Sequence, residues 1–156
     1  MSTFHLAHLN IGRIRAPMDS PELAEFAAAL DPINALADAA PGFVWRLQDE
    51  SGNATDIKVY DDDLLLVNMS VWESVDALYD YVYRTAHREY LARRREWFDK
   101  MDELYVVMWW VPVGHIPTVE EAKAKLELLR EQGPTDEAFT FRTRFPAPQA
   151  EGSAAT

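Results

Sequence analysis

The chain has 156 residues, with 15 basic and 26 acidic side chains, a formal net charge of −11 and no cysteine. A domain of this size buries roughly 68–70% of its unfolded surface, so it needs neither disulfide nor structural metal. Without cysteine the chain has no disulfide and no thiolate ligand, and its negative charge argues against binding nucleic acid or anionic membranes, which attract clustered Lys and Arg.

The N-terminal residues have no unbroken apolar stretch of the kind that a signal peptide carries. No apolar run approaches the roughly 20 residues that a membrane-spanning helix requires. We therefore expect a cytoplasmic protein with a single domain over residues 1–148 and a disordered tail over residues 149–156.

The first predicted elements are a strand over residues 4–11 and a helix that follows it. Ser20 and Pro21 are typical of a helix start, because serine can cap the free amides and proline suits the first turn. The Ala-rich sequence continues the helix to Ala40. Pro32 should kink or divide this helix, since proline removes a backbone N–H and clashes with the preceding turn.

The middle of the chain alternates strands with a long helical pattern. Strands are predicted over residues 43–48 and 64–72, and a short one over residues 57–60 within the polar connection between them. Ser74 then begins a pattern in which apolar residues recur every three or four positions as far as Met101. This spacing predicts one long helix.

The last elements are a core strand over residues 105–111 and a final helix. Thr118 and Glu121 form a capping-box pattern at the start of this helix, and Gly133 is suited to its end. Residues 139–145 alternate in a way that indicates a surface arm or an edge strand. The order β-α-β-β-α-β plus a C-terminal helix predicts a ferredoxin-like α+β fold.

Side chains alternate across a strand, so each predicted strand has two faces. One face is apolar, and we expect the helices to cover it; its residues in the third strand are Leu65, Val67, Met69 and Val71. The opposite, polar face should point away from the helices; it carries His8, Asn10, Arg46, Asn68, Ser70 and Trp72. The pattern leaves open which of Trp109 and Trp110 joins this polar face.

A face that is both aromatic and polar is typical of an interface or a ligand groove. We expect two sheets to pack face to face around a cavity in a homodimer, because two-fold dimers are the commonest oligomers. The alternative is a monomer in which the C-terminal segment covers the sheet as a third layer.

His87 is the main candidate for a catalytic residue. It belongs to a polar and aromatic stripe of the predicted long helix, formed by Tyr79, Tyr83, His87, Tyr90 and Arg94. A histidine that faces a cavity could act as a general base near neutral pH or as the axial ligand of a haem. Alternatively, it is a partly buried histidine that bonds a carbonyl or carboxylate and does no chemistry.

Other polar residues are candidates for binding a ligand. His8 lies on the polar face, and His115 follows the last core strand. The four histidines match no metal-binding spacing, so we expect no dedicated zinc or non-haem iron site. Arg46 could bind a carboxylate, a phenolate or a haem propionate, or it could pair with an acidic residue of the chain.

Charge runs are expected to be structural. The run Arg93-Arg94-Arg95 is interpreted as a solvated helix face paired with Glu96 and Asp99 rather than an anion site.

Several motifs carry a resemblance to a known family. They occupy residues 5–12, 41–48, 68–73, 83–87, 109–115, 133–135 and 138–141, and the match extends over residues 4–147. On these motifs the chain resembles the DUF3291 family, whose name states that no function is assigned. The resemblance implies a dimeric α+β barrel, the fold of antibiotic-biosynthesis monooxygenases, haem-degrading monooxygenases, chlorite dismutases and EthD-like proteins.

The resemblance also implies two kinds of chemistry, although fold alone does not fix function. Haem-binding relatives use a helix histidine as the axial ligand, which corresponds to His87. Cofactor-free relatives hold electron-rich aromatic substrates among Trp, Asn and His groups, and residues of these types occur here at Trp72, Asn68, Asn10 and His87.

We therefore expect a small-molecule enzyme of the monooxygenase-like type, with an aromatic or haem-like ligand between the sheet and the long helix. His87 is the expected catalytic residue and, if haem is bound, the metal ligand. The expected ligand-binding residues are His8, Asn10, Arg46, Asn68, Ser70, Trp72, Tyr83, Trp109 and His115. The alternative function is non-catalytic binding of a small molecule or of haem.

Overall fold

The computed structural model describes residues 3–17, 19–48, 64–85, 87–99 and 104–148. The strands are β1 (Phe4–Arg13), β2 (Phe43–Arg46), β3 (Leu65–Trp72) and β4 (Val106–Pro112). The helices are α1 (Ala24–Ala39), α2 (Val75–Arg84), α3 (His87–Ala92), α4 (Arg94–Trp97) and α5 (Val119–Gln132), and a 3-10 turn (Pro21–Leu23) precedes α1. The strand expected over residues 57–60 and the expected tail lie outside the described residues.

The four strands form one antiparallel sheet in the order β2-β3-β1-β4. In its register, His8 of β1 lies opposite Ser70 of β3 on one side and opposite Met108 of β4 on the other. Arg46 of β2 also lies opposite Ser70, so these residues share a face. The arrangement confirms a ferredoxin-like α+β fold with an added C-terminal helix.

The C-terminal helix covers the apolar face of the sheet. Val67 and Met69 are buried in one cluster with Leu126 and Leu129 of α5. The expectation that helices cover this face holds for α5, but it is wrong for α1 and α2, which pack on the opposite face. The alternating small and branched residues of β1 and β3 make a flat apolar surface, which accepts the apolar side of α5 because its residues recur at i, i+3 and i+4.

The polar face lies beneath α1 and α2, so the expectation that it points away from the helices is also wrong. Trp72 packs with Ala37 of α1 and with Leu78 and Tyr81 of α2. Aromatic and aliphatic residues at the ends of the strands provide this contact. Of the polar residues in the middle of the same strands, His8 and Ser70 are consequently buried, whereas Asn68 is exposed.

The structure separates the two tryptophans of β4. Trp109 is buried in the cluster beneath α5. Trp110 packs on the side of Trp72, where its Nε1 donates a hydrogen bond to the Phe145 carbonyl oxygen at 2.9 Å. The segment expected to form an edge strand pairs with β4 at one position, where the backbones of Phe139 and Met108 exchange hydrogen bonds of 2.8 and 2.9 Å.

The long helix expected over residues 74–101 is interrupted, and its described parts are α2, α3 and α4. Ser74 caps α2 as its type suggests, accepting a hydrogen bond from the Ala77 amide at 3.1 Å. At the break, Thr85 has an extended backbone with φ −116° and ψ −178°. Its hydroxyl donates to the Tyr81 carbonyl at 2.6 Å and accepts from the His87 amide at 3.2 Å. These bonds take the place of helical backbone bonds.

The first helix differs from its expected form in two details. It is not divided at Pro32, because α1 runs through the proline and buries Ala29 and Ala37; tertiary packing outweighs local propensity. Ser20 precedes the 3-10 turn but does not cap it, since its hydroxyl donates to the Pro17 carbonyl oxygen.

Both faces of the sheet are covered by segments of the same chain within the described residues. The homodimer stays a prediction. A face-to-face barrel would have to displace α5 or use another surface. No described helix combines the length and the apolar character that a membrane crossing requires.

Candidate functional site

A cavity of about 170 Å³ lies between the polar face of the sheet and α1; we call it the α1 cavity. Its apolar wall includes Phe26, Leu30 and Ile33 of α1, together with Leu66, Trp97 and Phe98. Its polar lining consists of Asn10, Asn34, Arg46, Asn68, His87 and Arg94. An apolar cavity of similar size, roughly 150 Å³, holds one benzene ring. The α1 cavity therefore has room for a small ligand with one ring.

His87 reaches the α1 cavity because the helix breaks before it. Its Nδ1 lies 3.2 Å from the Val82 carbonyl oxygen. We assign a proton to Nδ1 in this bond, which leaves Nε2 unprotonated in the neutral ring. Burial lowers the pKa of His87 below its ordinary value, although the bond to Val82 opposes this effect. The ring is consequently neutral at pH 7 and has the form that accepts a proton.

Arg46 lines the cavity, but its charge is already paired. Its Nε lies 2.8 Å from Oδ1 of Asp38, and its Nη2 lies 3.3 Å from Oδ2 of the same carboxylate. The Arg46 side chain is 13% exposed, whereas that of Asp38 is 50% exposed. The sequence leaves open whether Arg46 binds a ligand anion or pairs with an acidic residue of the chain. In the structure it pairs with Asp38.

Arg94 takes a different position from its neighbours in the arginine run. Arg93 makes the expected pair with Glu96, at 2.8 Å, and also pairs with Glu25. Arg94 instead lines the α1 cavity, with its Cζ 4.8 Å from the Phe98 ring centroid and 4.6 Å from that of Tyr105. The interpretation of the whole run as a solvated face is wrong for Arg94.

Next to the cavity, on the same face of the sheet, lies a group of buried polar side chains. His8 and Ser70 are each 7% exposed, and the Trp72 indole donates to the Ser70 hydroxyl at 2.8 Å. The Trp72 ring stacks on Tyr81, with 5.1 Å between centroids. Burial, with a smaller contribution from the charge of His87, lowers the pKa of His8 to about 4. His8 and Ser70 are adjacent along their strands to the lining residues Asn10 and Asn68, but they do not line the cavity themselves.

The remaining expected site residues lie elsewhere. Tyr83 is exposed on the outside of α2, with its ring 5.9 Å from that of Phe141. Trp109 and His115 lie on the α5 side, where Glu121 Oε2 accepts from Trp109 at 2.8 Å and Oε1 lies 2.7 Å from His115 Nε2. None of these three residues lines the α1 cavity with His87.

Glu121 balances opposing effects in this second cluster. Burial alone would raise its pKa, but the hydrogen bonds from His115 and Trp109 hold the pKa below its ordinary value. The carboxylate is therefore charged at neutral pH, and both of its oxygens have a hydrogen-bond partner within the chain. This cluster ties α5 to the sheet.

The family model for DUF3291, described as a domain of unknown function, matches residues 5–155. The chain belongs to the DUF3291 family. A comparison with curated proteins gave no match.

Solved structures similar to this DUF3291 chain include SnoaB, described as a cofactor-independent oxygenase from Streptomyces nogalater. A mutant form of SnoaB is 17% identical, with a TM-score of 0.45 over 72% of this chain and 95% of the SnoaB chain. PA3566 from Pseudomonas aeruginosa is 18% identical, with a TM-score of 0.46 over the same shares. NE2512 from Nitrosomonas europaea, of unknown function, is 13% identical, with a TM-score of 0.44 over 74% of this chain and 95% of that chain.

Several lining residues of the DUF3291 chain were not expected from its sequence. The α1 wall could have been found from its spacing, since Phe26, Leu30 and Ile33 recur at helical intervals. Gly12 also gives a signal, because a glycine within a strand often marks close approach of another group. A Cβ at Gly12 would lie 2.7 Å from the Phe98 ring and 3.3 Å from Arg94 Nη2.

The described residues do not fit a haem or a metal ion. The α1 cavity is smaller than the roughly 300–1,000 Å³ of drug-sized ligand pockets, and a porphyrin is larger than most such ligands. Arg46, the expected partner of a propionate, is held by Asp38. Within the described ranges, no group of three or more His, Asp or Glu side chains could hold a metal ion.

Proposed function

We propose that this protein is a small-molecule enzyme of the monooxygenase-like type, which binds a small aromatic substrate in the α1 cavity. His87 acts as the general base. The observation that carries the proposal is a neutral imidazole at the cavity wall, with Nδ1 bonded to the Val82 carbonyl and Nε2 left to accept a proton.

The cavity walls suit a flat ring. Phe26 lies 5.4 Å from Trp97 and 5.1 Å from Phe98 between ring centroids, so aromatic surfaces meet at one end of the cavity. Aromatic rings favour offset or edge-to-face contacts with another ring. An aromatic ligand would therefore gain contact area without ordering a flexible chain.

Two amide side chains can bind oxygen atoms of the substrate. Asn10 and Asn68 are opposite each other on β1 and β3, and both line the cavity. Residues in such a cross-strand pair have Cβ atoms about 4.5–5.5 Å apart. Their NH₂ groups can donate to a single hydroxyl or phenolate oxygen, which stabilises the charge that forms when His87 removes a proton.

The proton transfer makes the substrate reactive toward O₂. A hydroquinone loses two protons, the first of them to Nε2 of His87, and two electrons to become a quinone, and O₂ gains two protons and two electrons to become hydrogen peroxide. Burial lowers the pKa of His87, so the imidazole is available as a base at pH 7 rather than already protonated.

Oxygen uptake with methylhydroquinone at pH 7 tests this function. Protein-dependent uptake should exceed the buffer rate, and His87→Ala should lower kcat by about 10²- to 10⁴-fold, the usual contribution of a general base. His115→Ala is the matched control, because His115 lies on the α5 side beside Glu121. If His87→Ala retains the wild-type rate, His87 is not the base.

A non-catalytic binding protein is the alternative, favoured because His87 is the single base among the described residues that line the α1 cavity. In that case methylhydroquinone would raise the melting temperature of wild type and His87→Ala alike, and neither would consume oxygen. The combination of ligand stabilisation without uptake separates binding from catalysis.

A further inference from the structure

We infer that the ligand of the α1 cavity is an aromatic carboxylate, whose charged group binds Arg94. This inference depends on the proposed function for the location of the ligand. It goes beyond that function in naming the ligand's charge and the residue that selects it.

The first argument is the charge of the cavity lining. Its ionic side chains are Arg46 and Arg94, and no aspartate or glutamate is among the described residues that line it. Asp38 neutralises Arg46 from outside the cavity. The chain has 26 acidic side chains against 15 basic ones, yet within the described residues no carboxylate lies at ion-pair distance from Arg94. In the part of the chain that the structure describes, Arg94 is thus the lining charge without a carboxylate partner.

The second argument is the surroundings of Arg94. Its guanidinium lies over the rings of Phe98 and Tyr105. Ring faces attract the cation, but they supply no oxygen acceptor for its five N–H donors. The planar fork of a guanidinium matches a carboxylate with two parallel hydrogen bonds. A carboxylate in the cavity would satisfy both the charge and the donors.

The third argument is that β1 leaves space for this arrangement. A Cβ at position 12 would collide with the Phe98 ring, at 2.7 Å, and would crowd Arg94 Nη2, at 3.3 Å. Gly12 therefore lets both residues pack closely against the strand. Since Phe98 also contacts Phe26, the cation is adjacent to the aromatic end of the cavity. An aromatic ring with an attached carboxylate would place its ring at the aromatic end of the cavity and its carboxylate beside Arg94.

Two probes of similar shape test the inference. Benzoate carries the proposed charge, and benzamide is its neutral counterpart. By calorimetry, wild-type protein should bind benzoate more tightly than benzamide. Arg94→Met should weaken benzoate binding by roughly 10- to 100-fold, the usual effect of losing a hydrogen-bonded charge, and should leave benzamide binding unchanged.

The controls use neighbouring and conservative changes. Arg95→Met removes an exposed charge from the same helix and should bind benzoate as wild type does. Arg94→Lys retains the charge without the fork and should give an intermediate affinity. If Arg94→Met fails to bind benzamide, its packing is disturbed, and the benzoate-to-benzamide ratio of Arg94→Lys decides instead.

The outcomes separate this inference from the proposed function. Equal wild-type affinity for the two probes, or an equal loss of both in Arg94→Lys, would overturn the carboxylate and leave an aromatic site. If benzoate selection depends on Arg94 while His87→Ala still consumes oxygen at the wild-type rate, the inference stands and the role of His87 fails. Absence of binding by either probe would overturn the inference together with the site.

Discussion

On the α5 side of the sheet, the Trp109 indole and the His115 imidazole both bond to the carboxylate of Glu121. On the opposite, polar face, the Trp72 indole bonds only to the Ser70 hydroxyl, and among the described residues neither ring nitrogen of His8 has a hydrogen-bond partner. Both sides thus contain a tryptophan and a histidine, but a carboxylate completes only one of these sets.

The difference separates structural polar groups from candidate functional ones. Beneath α5, charges and donors are matched and the apolar residues are closely packed. Beneath α1, the neutral His87 lines a cavity together with Arg94, which has no carboxylate at ion-pair distance among the described residues. Buried polar groups in proteins are generally hydrogen-bonded, so the His8 ring, which has no hydrogen-bond partner among the described residues, points to a ligand or to water.

The two sides should respond differently to loss of a leucine. Leu126 of α5 is fully buried at 0% exposure, and Leu126→Ala should lower the free energy of unfolding by about 2–5 kcal/mol. Leu30→Ala should cost less than about 2 kcal/mol, because Leu30 already borders a cavity. Urea unfolding measures both values, and equal losses would contradict the contrast in packing.

Acid should destabilise the protein through the polar face. The pKa of His8 is lowered from 6.5 to about 4 in the folded state. The unfolded chain therefore binds a proton that the folded chain does not bind between these values, and stability falls as the pH decreases from 6.5 toward 4. From pH 7 to pH 5, His8 should account for about 2 kcal/mol of lost unfolding free energy.

Urea unfolding of wild type and His8→Phe at both pH values measures this contribution. The variant should lose less stability on acidification than wild type does, while His87, whose pKa is lowered in the same direction, contributes equally to both proteins. Identical pH dependence of the two proteins would mean that His8 does not remain neutral when folded.

Glu121 should have a smaller effect on the α5 side. Glu121→Ala leaves the Trp109 indole N–H and His115 without their acceptor, and should lower the unfolding free energy by about 1–2 kcal/mol. Glu120→Ala is the control, because this neighbour on the same helix turn makes neither contact. Trp109 fluorescence should shift in Glu121→Ala only; an unchanged spectrum would exclude the tie to the sheet.

Element type and order could be predicted from the sequence because the strands alternate clearly and the caps are local. Thr118 illustrates this: its hydroxyl accepts from the Glu121 amide at 3.1 Å, as the capping-box pattern indicates. The grouping of His8, Asn10, Arg46 and Ser70 on one face likewise follows from alternation with period 2.

The covering of each face could not be predicted, because alternation identifies two faces without saying which helix packs on which. The role of Arg94 was hidden for a related reason. In an uninterrupted helix, Arg94 belongs both to the stripe of His87 and to the charged run Arg93-Arg94-Arg95, so the pattern alone does not decide its role. In the structure it lines the cavity. The break before His87 involves hydrogen bonds of the Thr85 side chain, which the periodicity of apolar residues does not reveal.

Thr85 has a consequence for attempts to alter this protein. Its hydroxyl holds the interruption that turns the backbone before His87, yet Thr85 itself does not line the α1 cavity. A mutant library confined to the cavity wall would therefore leave unchanged the position that orients its histidine. Variation at Thr85 gives evolution, or an engineer, a way to change the orientation of His87, the proposed base, while every residue that lines the cavity stays the same.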